Sequence, residues 1–195
     1  MKVLIACEFS GIVREAFKAR GHDAWSCDLG PTEIEGNHLQ CDVREILGRN
    51  WDLMIAHPPC TYLANSGVRW LYNKDGSLNE ERWALMEEGA RFFLTLLGAD
   101  IPKIAVENPT MHGYAQEMVV IPSTQEIEPR WFGDAVSKKT HLWLKNLEGL
   151  SSSNWVSILE VKDSIHREPP GPEREKNRSR FFPGVARAMA EQWDQ

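Results

Sequence analysis

Three apolar runs, separated by segments with helical spacing, constrain the fold of this chain more than any other feature. The runs are "KVLIAC", "WDLMIAH" and "KIAVENP". Apolar runs of this length are typical of strands buried on both faces of a parallel sheet. The segments "SGIVREAFKARG" and "NEERWALMEEGARFFLTLLG" repeat apolar residues every three or four positions, as amphipathic helices do. The alternation predicts an α/β fold with a Rossmann-like, doubly wound, mostly parallel sheet.

Shorter segments complete the predicted organisation. "DAWSCDL" and "HLQCDV" are further strand candidates, and "STQEIEPRWFGD" and "KTHLWLKNL" indicate an antiparallel pair. The length of 195 residues favours a single domain over 1–195. Within it, a polar, proline-containing stretch predicts a loop or arm at about 148–180, and "FPGVARAMAEQW" predicts a closing helix at about 184–193.

Composition narrows the classes of function. The net charge of −6 gives no general affinity for nucleic acid, so any such contact needs a local basic patch. No apolar run is long enough to span a bilayer, and the N-terminus lacks the apolar core of a signal peptide, so we expect no membrane contact and a cytoplasmic location. The four cysteines share no CxxC spacing, which argues against a metal site.

Polar clusters follow the predicted strands. In parallel α/β sheets, ligands bind outside the carboxyl ends of the strands, so these clusters should share one site. Phe9, Ser10 and Gly11 form a turn before a helix, where backbone N–H groups can face a ligand. Asp28 is positioned to accept hydrogen bonds from a ribose, and Asp42 from an adenine amino group. Together they favour a cofactor that carries a nucleoside.

The segment "HPPC" contains the candidate nucleophile. Pro58 and Pro59 cannot extend a strand ladder, so the chain must turn there and present Cys60. A thiol in a stiff turn at this edge suits nucleophilic catalysis. The sequence leaves open whether His57 lowers the pKa of Cys60 or only packs. Glu107 ends another buried run, where burial can raise the pKa of a carboxyl so that it hands over a proton.

The ordered set "EFSG", "CD", "CD", "HPPC", "VENP" and "KKT" resembles the DNA cytosine-5 methyltransferase family, and in particular its short phage and prophage members without a large target-recognition domain. The resemblance covers most of residues 3–147 and the final helix. It implies the fold of S-adenosylmethionine-dependent methyltransferases and that cofactor. The family's glycine turn matches Phe9-Ser10-Gly11, although Val13 and Arg14 replace its last two glycines.

The resemblance also assigns roles to single residues. Asp28 and Asp42 match the acids that hold the cofactor's ribose and adenine, and Pro58 precedes the Pro-Cys nucleophile, Pro59-Cys60. Glu107 and Asn108 match the family's catalytic Glu-Asn. The family's Arg-x-Arg motif is represented by a set near the start of a strand: Lys138 and Thr140, or the adjacent Lys139.

The chemistry implied by the resemblance is methyl transfer to carbon 5 of cytosine. Attack of the Cys60 thiolate on carbon 6 makes carbon 5 nucleophilic, while Glu107 hydrogen-bonds the ring nitrogen N3 and the exocyclic amine. The partner is DNA, as a duplex or a single strand, or a cytosine nucleotide, in a bacterial host cell. Basic residues are the candidate nucleic-acid contacts: Lys138, Lys139, Arg174, Lys176, Arg178 and Arg180.

Two alternatives remain open from the sequence. "HPPCTY" loosely resembles the Asp/Asn-Pro-Pro-aromatic loop of exocyclic-amine methyltransferases, although Cys60 stands where those enzymes have an aromatic residue. The second alternative is a non-catalytic relative that binds cofactor or nucleic acid, which the lost glycines favour and the retained Cys60 and Glu107 oppose.

Overall fold

The computed structural model describes residues 1–161, 171 and 174–194, and shows a seven-stranded sheet with helices on both faces. The strands are β1 (Lys2–Ala6), β2 (Asp23–Asp28), β3 (His38–Gln40), β4 (Leu53–Ala56), β5 (Lys103–Pro109), β6 (Gln125–Ile127) and β7 (Thr140–Lys145). The helices are α1 (Ile12–Ala19), α2 (Glu80–Leu97), α3 (Gly113–Val119), α4 (Arg174–Ser179) and α5 (Pro183–Gln192). Short 3-10 helices lie at Val43–Glu45, Asn65–Leu71, Pro129–Trp131 and Ile158–Glu160.

The strand order is β3-β2-β1-β4-β5-β7-β6. Strands β1 to β5 are parallel to one another, and β7 runs antiparallel to both β5 and β6. The expected Rossmann-like, doubly wound, mostly parallel sheet is therefore confirmed. The expected antiparallel pair near the end of the chain is also confirmed, as β6 and β7.

Two apolar cores form because successive residues of each strand point to opposite faces. On one face Leu4 and Ala6 of β1 belong to the core that includes α2 and α3. On the other, Val3 and Ile5 belong to the core that includes α1 and α5. Runs that are apolar at every position are needed because both faces are covered.

Part of the region expected to form a polar loop or arm packs against the rest of the fold. Leu150 is buried, and the backbone N–H groups of Ser153 and Asn154 donate to the carbonyl of Trp131. Further along, Arg174–Ser179 form helix α4 where a loop or arm was expected. The rest of the expected arm, 162–170 and 172–173, lies outside the described residues.

The described residues contain no helix with both the length and the apolar character needed to cross a membrane.

Candidate active site

The turn between β1 and α1 has the backbone shape that the sequence predicts, and the side chain of Glu8 binds N–H groups of the helix that follows it. Gly11 adopts a left-handed conformation (φ 76°), which favours glycine. The buried carboxylate of Glu8 accepts hydrogen bonds from the backbone N–H groups of Val13 (2.7 Å) and Arg14 (3.3 Å) and from the hydroxyl of Ser10 (3.2 Å). A side chain of the protein therefore occupies the N–H groups of Val13 and Arg14, and the expectation that N–H groups of the Phe9-Ser10-Gly11 turn face a ligand stays a prediction.

Arg14, one of the two residues that replace glycine in this turn, has a structural role. Its side chain is fully buried. The guanidinium donates to the hydroxyl of Ser26 (2.9 Å) and to the carbonyl of Ile34 (2.6 Å), and its Nη2 would lie 2.8 Å from a Cβ added at Gly11. The arginine thus joins α1 to β2 and to the loop after it.

Asp28 ends β2, and Asp42 follows β3, the strand beside it. Burial, Asp28, Cys27 and Asp42 together raise the pKa of the half-buried Cys7 thiol, so both acids act on the same residue. Asp28 Oδ1 accepts from the N–H of Gly30 (2.9 Å), and no described residue donates to its other oxygen.

Asp42 is more heavily engaged. It accepts from the backbone N–H (2.9 Å) and the guanidinium of Arg44, and these hydrogen bonds lower its pKa. A ligand amino group would have to compete with Arg44 for this carboxylate.

Cys60 and Glu107 meet at the same edge. Pro58 is buried, Pro59 is exposed and Cys60 is half-buried in the turn that follows β4. Burial raises the pKa of the Cys60 thiol, and Glu107 raises it further, whereas Lys138 and Arg178 lower it. The thiol therefore has one carboxylate and two cations around it.

Glu107 is buried among groups that favour its ionised form. Burial alone would raise its pKa, but His57, Lys138 and Thr140 together bring it below its ordinary value. Nδ1 of His57 lies 3.6 Å from Oε2 of Glu107. The expected rise in this pKa is therefore wrong, because the carboxylate is buried among cations and donors rather than at an apolar rim.

Successive residues of an extended segment point to opposite faces, so Lys138 and Lys139 have different surroundings, and so do Glu107 and Asn108. Lys138 is half-buried and acts on Cys60 and Glu107, whereas Nζ of the exposed Lys139 lies 3.1 Å from Glu126. Of the alternatives for the basic motif, the structure brings Lys138 with Thr140 to the site and not Lys139.

Asn108 follows Glu107 in β5, so its side chain points to the opposite face of the sheet. It is fully buried, its Nδ2 donates to the carbonyl of Pro109 (2.6 Å), and no described residue donates to its Oδ1. It does not join Glu107 beside Cys60.

Lys176 of α4 and the adjoining Arg180 are already paired within the protein. The carboxylate of Glu33 binds Arg180 (2.7 Å) and Lys176 (3.0 Å), and Lys176 also lies 5.5 Å from the ring centroid of Phe9. Arg178 acts on Cys60. The helix thus extends from the β1–α1 turn toward the candidate nucleophile; Arg174, at its start, is half-buried.

Sequence reasoning missed an aromatic cluster beside the Cys60 turn. The guanidinium of Arg69 lies 4.5 Å from the ring centroid of Trp70, which is 54% exposed. The hydroxyls of Tyr72 and Tyr114 are 2.9 Å apart, and the rings of Tyr114 and Trp83 pack at 5.0 Å. The aromatic residues of "VRWLY" are the sequence signal that could have indicated this cluster, but only the fold brings Tyr114 next to them.

In the part of the chain that the structure describes, no three His, Cys, Asp or Glu side chains are grouped to hold a metal ion.

Comparisons with known proteins give distant structural likeness alone. No family model matches the chain, and no curated protein matches it. A solved structure assigned as a DNA modification methyltransferase encoded within an E. coli prophage is similar with a TM-score of 0.45 and 14% identity, over 73% of this chain and 45% of that one. A triple mutant of Spodoptera frugiperda DNMT2 is similar with a TM-score of 0.39 and 15% identity, over 80% of this chain and 53% of that one. The chain spans about half the length of these two proteins.

The fold class follows from the sheet itself. Five parallel strands, followed by an antiparallel strand inserted between β5 and β6, form a Rossmann-like sheet of the S-adenosylmethionine-dependent methyltransferase type.

Proposed function

We propose that the protein is an S-adenosylmethionine-dependent methyltransferase that acts on carbon 5 of cytosine through a Cys60 adduct. One observation carries the proposal: Cys60, Glu107 and the cations Lys138 and Arg178 converge at the carboxyl edge of a methyltransferase-type sheet. A thiol, a buried carboxylate and phosphate-binding cations are the groups that this reaction requires.

The residues at the ends of β2 and β3 fit the nucleoside part of the cofactor. Asp28 has a carboxylate oxygen without a donor among the described residues, and a ribose diol would supply one. Asp42 can accept from the adenine amine in competition with Arg44, and Phe9 and Pro58 are the candidates for apolar contact. When bound, the cofactor supplies the methyl group.

Glu8 limits how the rest of the cofactor can bind. Its carboxylate occupies the N–H groups of Val13 and Arg14, so the cofactor's own carboxylate would need other donors of this turn. This observation favours the second candidate function, a relative that binds its target without turnover.

The chemistry at the target base belongs to Cys60 and Glu107. The thiolate sulfur bonds to carbon 6, which moves electron density to carbon 5, and Glu107 stabilises the charge that develops on the ring. Burial favours the neutral thiol, so Lys138 and Arg178 supply the positive charge that the thiolate needs.

Two features support a nucleic acid or nucleotide as the substrate. Lys138 and Arg178 both favour the thiolate of Cys60, so each supplies positive charge on the side where the target would bind. The exposed Trp70 beside Arg69 offers a face on which an unpaired base can stack. By contrast, Lys176 and Arg180 must leave Glu33 before they can contact a phosphate.

The proposal is tested by trapping the thiol. We expect the protein, incubated with S-adenosylmethionine and DNA containing 5-fluorocytosine, to form a covalent adduct that mass spectrometry locates on Cys60. Cys60→Ser should lose the adduct, and Cys41→Ser, which alters another half-buried thiol, should keep it. Cofactor binding without an adduct on single-stranded DNA, duplex DNA or a cytosine nucleotide would favour amine methylation or the non-catalytic relative.

A further inference from the structure

A largely buried histidine that the proposed mechanism does not use interacts with two buried carboxylates. His57 directly follows β4, and its side chain is 9% exposed. Its Nδ1 lies 3.6 Å from Oε2 of Glu107 in β5. It also acts on Glu8, after β1, where burial raises the pKa of the carboxyl and His57 opposes that rise. Neither ring nitrogen makes a hydrogen bond among the described residues.

The imidazole is held in this position by packing. The ring of Phe181 lies 4.4 Å from it between centroids, just ahead of α5. The N-terminus of α5 is itself fixed, because the carboxylate of Asp134 accepts from the N–H of Gly184 (3.0 Å). A movement of less than about 1 Å would bring Nδ1 of His57 into hydrogen-bond distance of Glu107.

The charges around the pair come from three directions. Glu8 interacts with His57 from the β1–α1 turn, Glu107 lies beside it in β5, and Lys138 acts on Glu107 from just before β7. The thiol of Cys60 also interacts with Glu107. Two buried carboxylates next to one imidazole and one ammonium form a site in which a single proton has several possible positions.

The proposed reaction creates a demand for that proton. An ionised carboxylate can accept a hydrogen bond from the exocyclic amine of cytosine. It cannot donate to N3, which is itself an acceptor. Glu107, whose ionised form is favoured by His57, Lys138 and Thr140, must therefore gain a proton before it can stabilise the adduct at N3.

We propose that His57 is a positioning residue that shares one proton with Glu107 and transfers it to the carboxyl when the target base binds. The N–H bond at Nδ1 of the imidazolium breaks and an O–H bond forms at Oε2, which leaves neutral His57 and neutral Glu107. The carboxyl then donates to N3 as the sulfur bonds to carbon 6, and release of the base reverses the transfer. The sharing of the proton between His57 and Glu107 needs no substrate, whereas its transfer to Glu107 on base binding rests on the proposed function.

The first experiment follows Glu107 itself and needs no substrate. In full-length protein labelled with ¹³C at glutamate carboxyls, we expect His57→Gln to move the titration midpoint of Glu107 upward by about one pH unit, a tenfold change in proton affinity. His141→Gln is the matched control, because His141 lies 3.8 Å from Glu126 on the same sheet, and it should leave Glu107 unchanged. His57→Asn replaces His57→Gln if the latter does not fold, and an unchanged Glu107 midpoint in either folded variant would overturn the proposal.

The second experiment counts protons when deoxycytidine monophosphate binds. Calorimetry in buffers of different ionisation enthalpy should show almost no uptake from solvent by the wild type, since His57 supplies the proton. His57→Gln should take up about one proton per molecule bound. Equal uptake by both proteins would contradict the transfer. If neither protein binds a cytosine nucleotide or oligonucleotide, the proposed function fails, and the Glu107 titration still decides whether the proton is shared.

Discussion

The reactivity of Cys60 depends on which charges surround it. Burial and Glu107 oppose formation of the thiolate, and Lys138 and Arg178 favour it. The free protein therefore holds Cys60 mainly as a thiol at neutral pH, and the cations set how far the thiolate is populated. This balance can be measured without any substrate.

We expect Lys138→Gln to move the pH dependence of Cys60 alkylation by iodoacetamide upward by about one unit, because a nearby cation that favours the thiolate is lost. The adjacent Lys139→Gln is the matched control, since Lys139 is exposed and paired with Glu126. Mass spectrometry of the Cys60 peptide provides the rate. Equal shifts in the two variants would mean that Lys138 does not act on the thiol.

At the scale of elements, α4 is attached to the β2–β3 loop through one carboxylate. Hydrogen bonds from Arg180, and then Lys176, lower the pKa of Glu33 to about 2 although burial opposes the change. A carboxylate with a depressed pKa in the folded state stabilises that state above its ordinary pKa, and the contribution is lost as the pH falls toward the depressed value. The attachment of α4 should therefore weaken between about pH 4.5 and about pH 2.

We expect Glu33→Gln to increase amide hydrogen exchange in α4 at neutral pH by about fivefold, the effect of losing roughly 1 kcal/mol from exposed ion pairs. Glu35→Gln, two residues away in the same loop and exposed, is the control. Mass spectrometry of the peptides that cover α4 measures the exchange. If α4 exchanges equally in both variants, the Glu33 ion pairs do not hold it.

At the scale of the whole molecule, the net charge of −6 works against nucleic-acid binding everywhere except at the candidate site. Only cations of the protein that contact phosphates of a bound strand release counterions from that strand. Two of them, Lys138 and Arg178, act on Cys60. The salt dependence of binding should accordingly be shallow for a protein of this size.

For a single-stranded, cytosine-containing oligonucleotide we expect log K to fall with log salt concentration with a slope of about −1.4, since each neutralised phosphate contributes about 0.7. Lys138→Gln should reduce the magnitude of the slope by about 0.7. Lys18→Gln is the control. Helix α1 runs from the carboxyl end of β1 back to the start of β2, so Lys18 in its last turn lies at the sheet edge opposite the candidate site. Fluorescence anisotropy over a salt series measures all three, and a slope that Lys138→Gln leaves unchanged would remove Lys138 from the contact.

The local pattern of the chain was enough to determine the strands, their approximate ends and the class of fold. Apolar runs such as "KVLIAC" have few alternatives in a chain that also carries amphipathic helices between them. Because the parallel strands end at one edge, their order along the chain also placed Cys60 and Glu107 at the same edge.

Only the tertiary structure decided which side chains face one another. The register of β5 against β7 brings Lys138 and not Lys139 to Glu107, and it directs Asn108 away from Glu107. A shift of one residue would exchange these faces, and no local signal specifies a pairing between segments more than thirty residues apart. Glu8 over the first turn of α1 and His57 beside Glu107 depend in the same way on strands that meet only after folding.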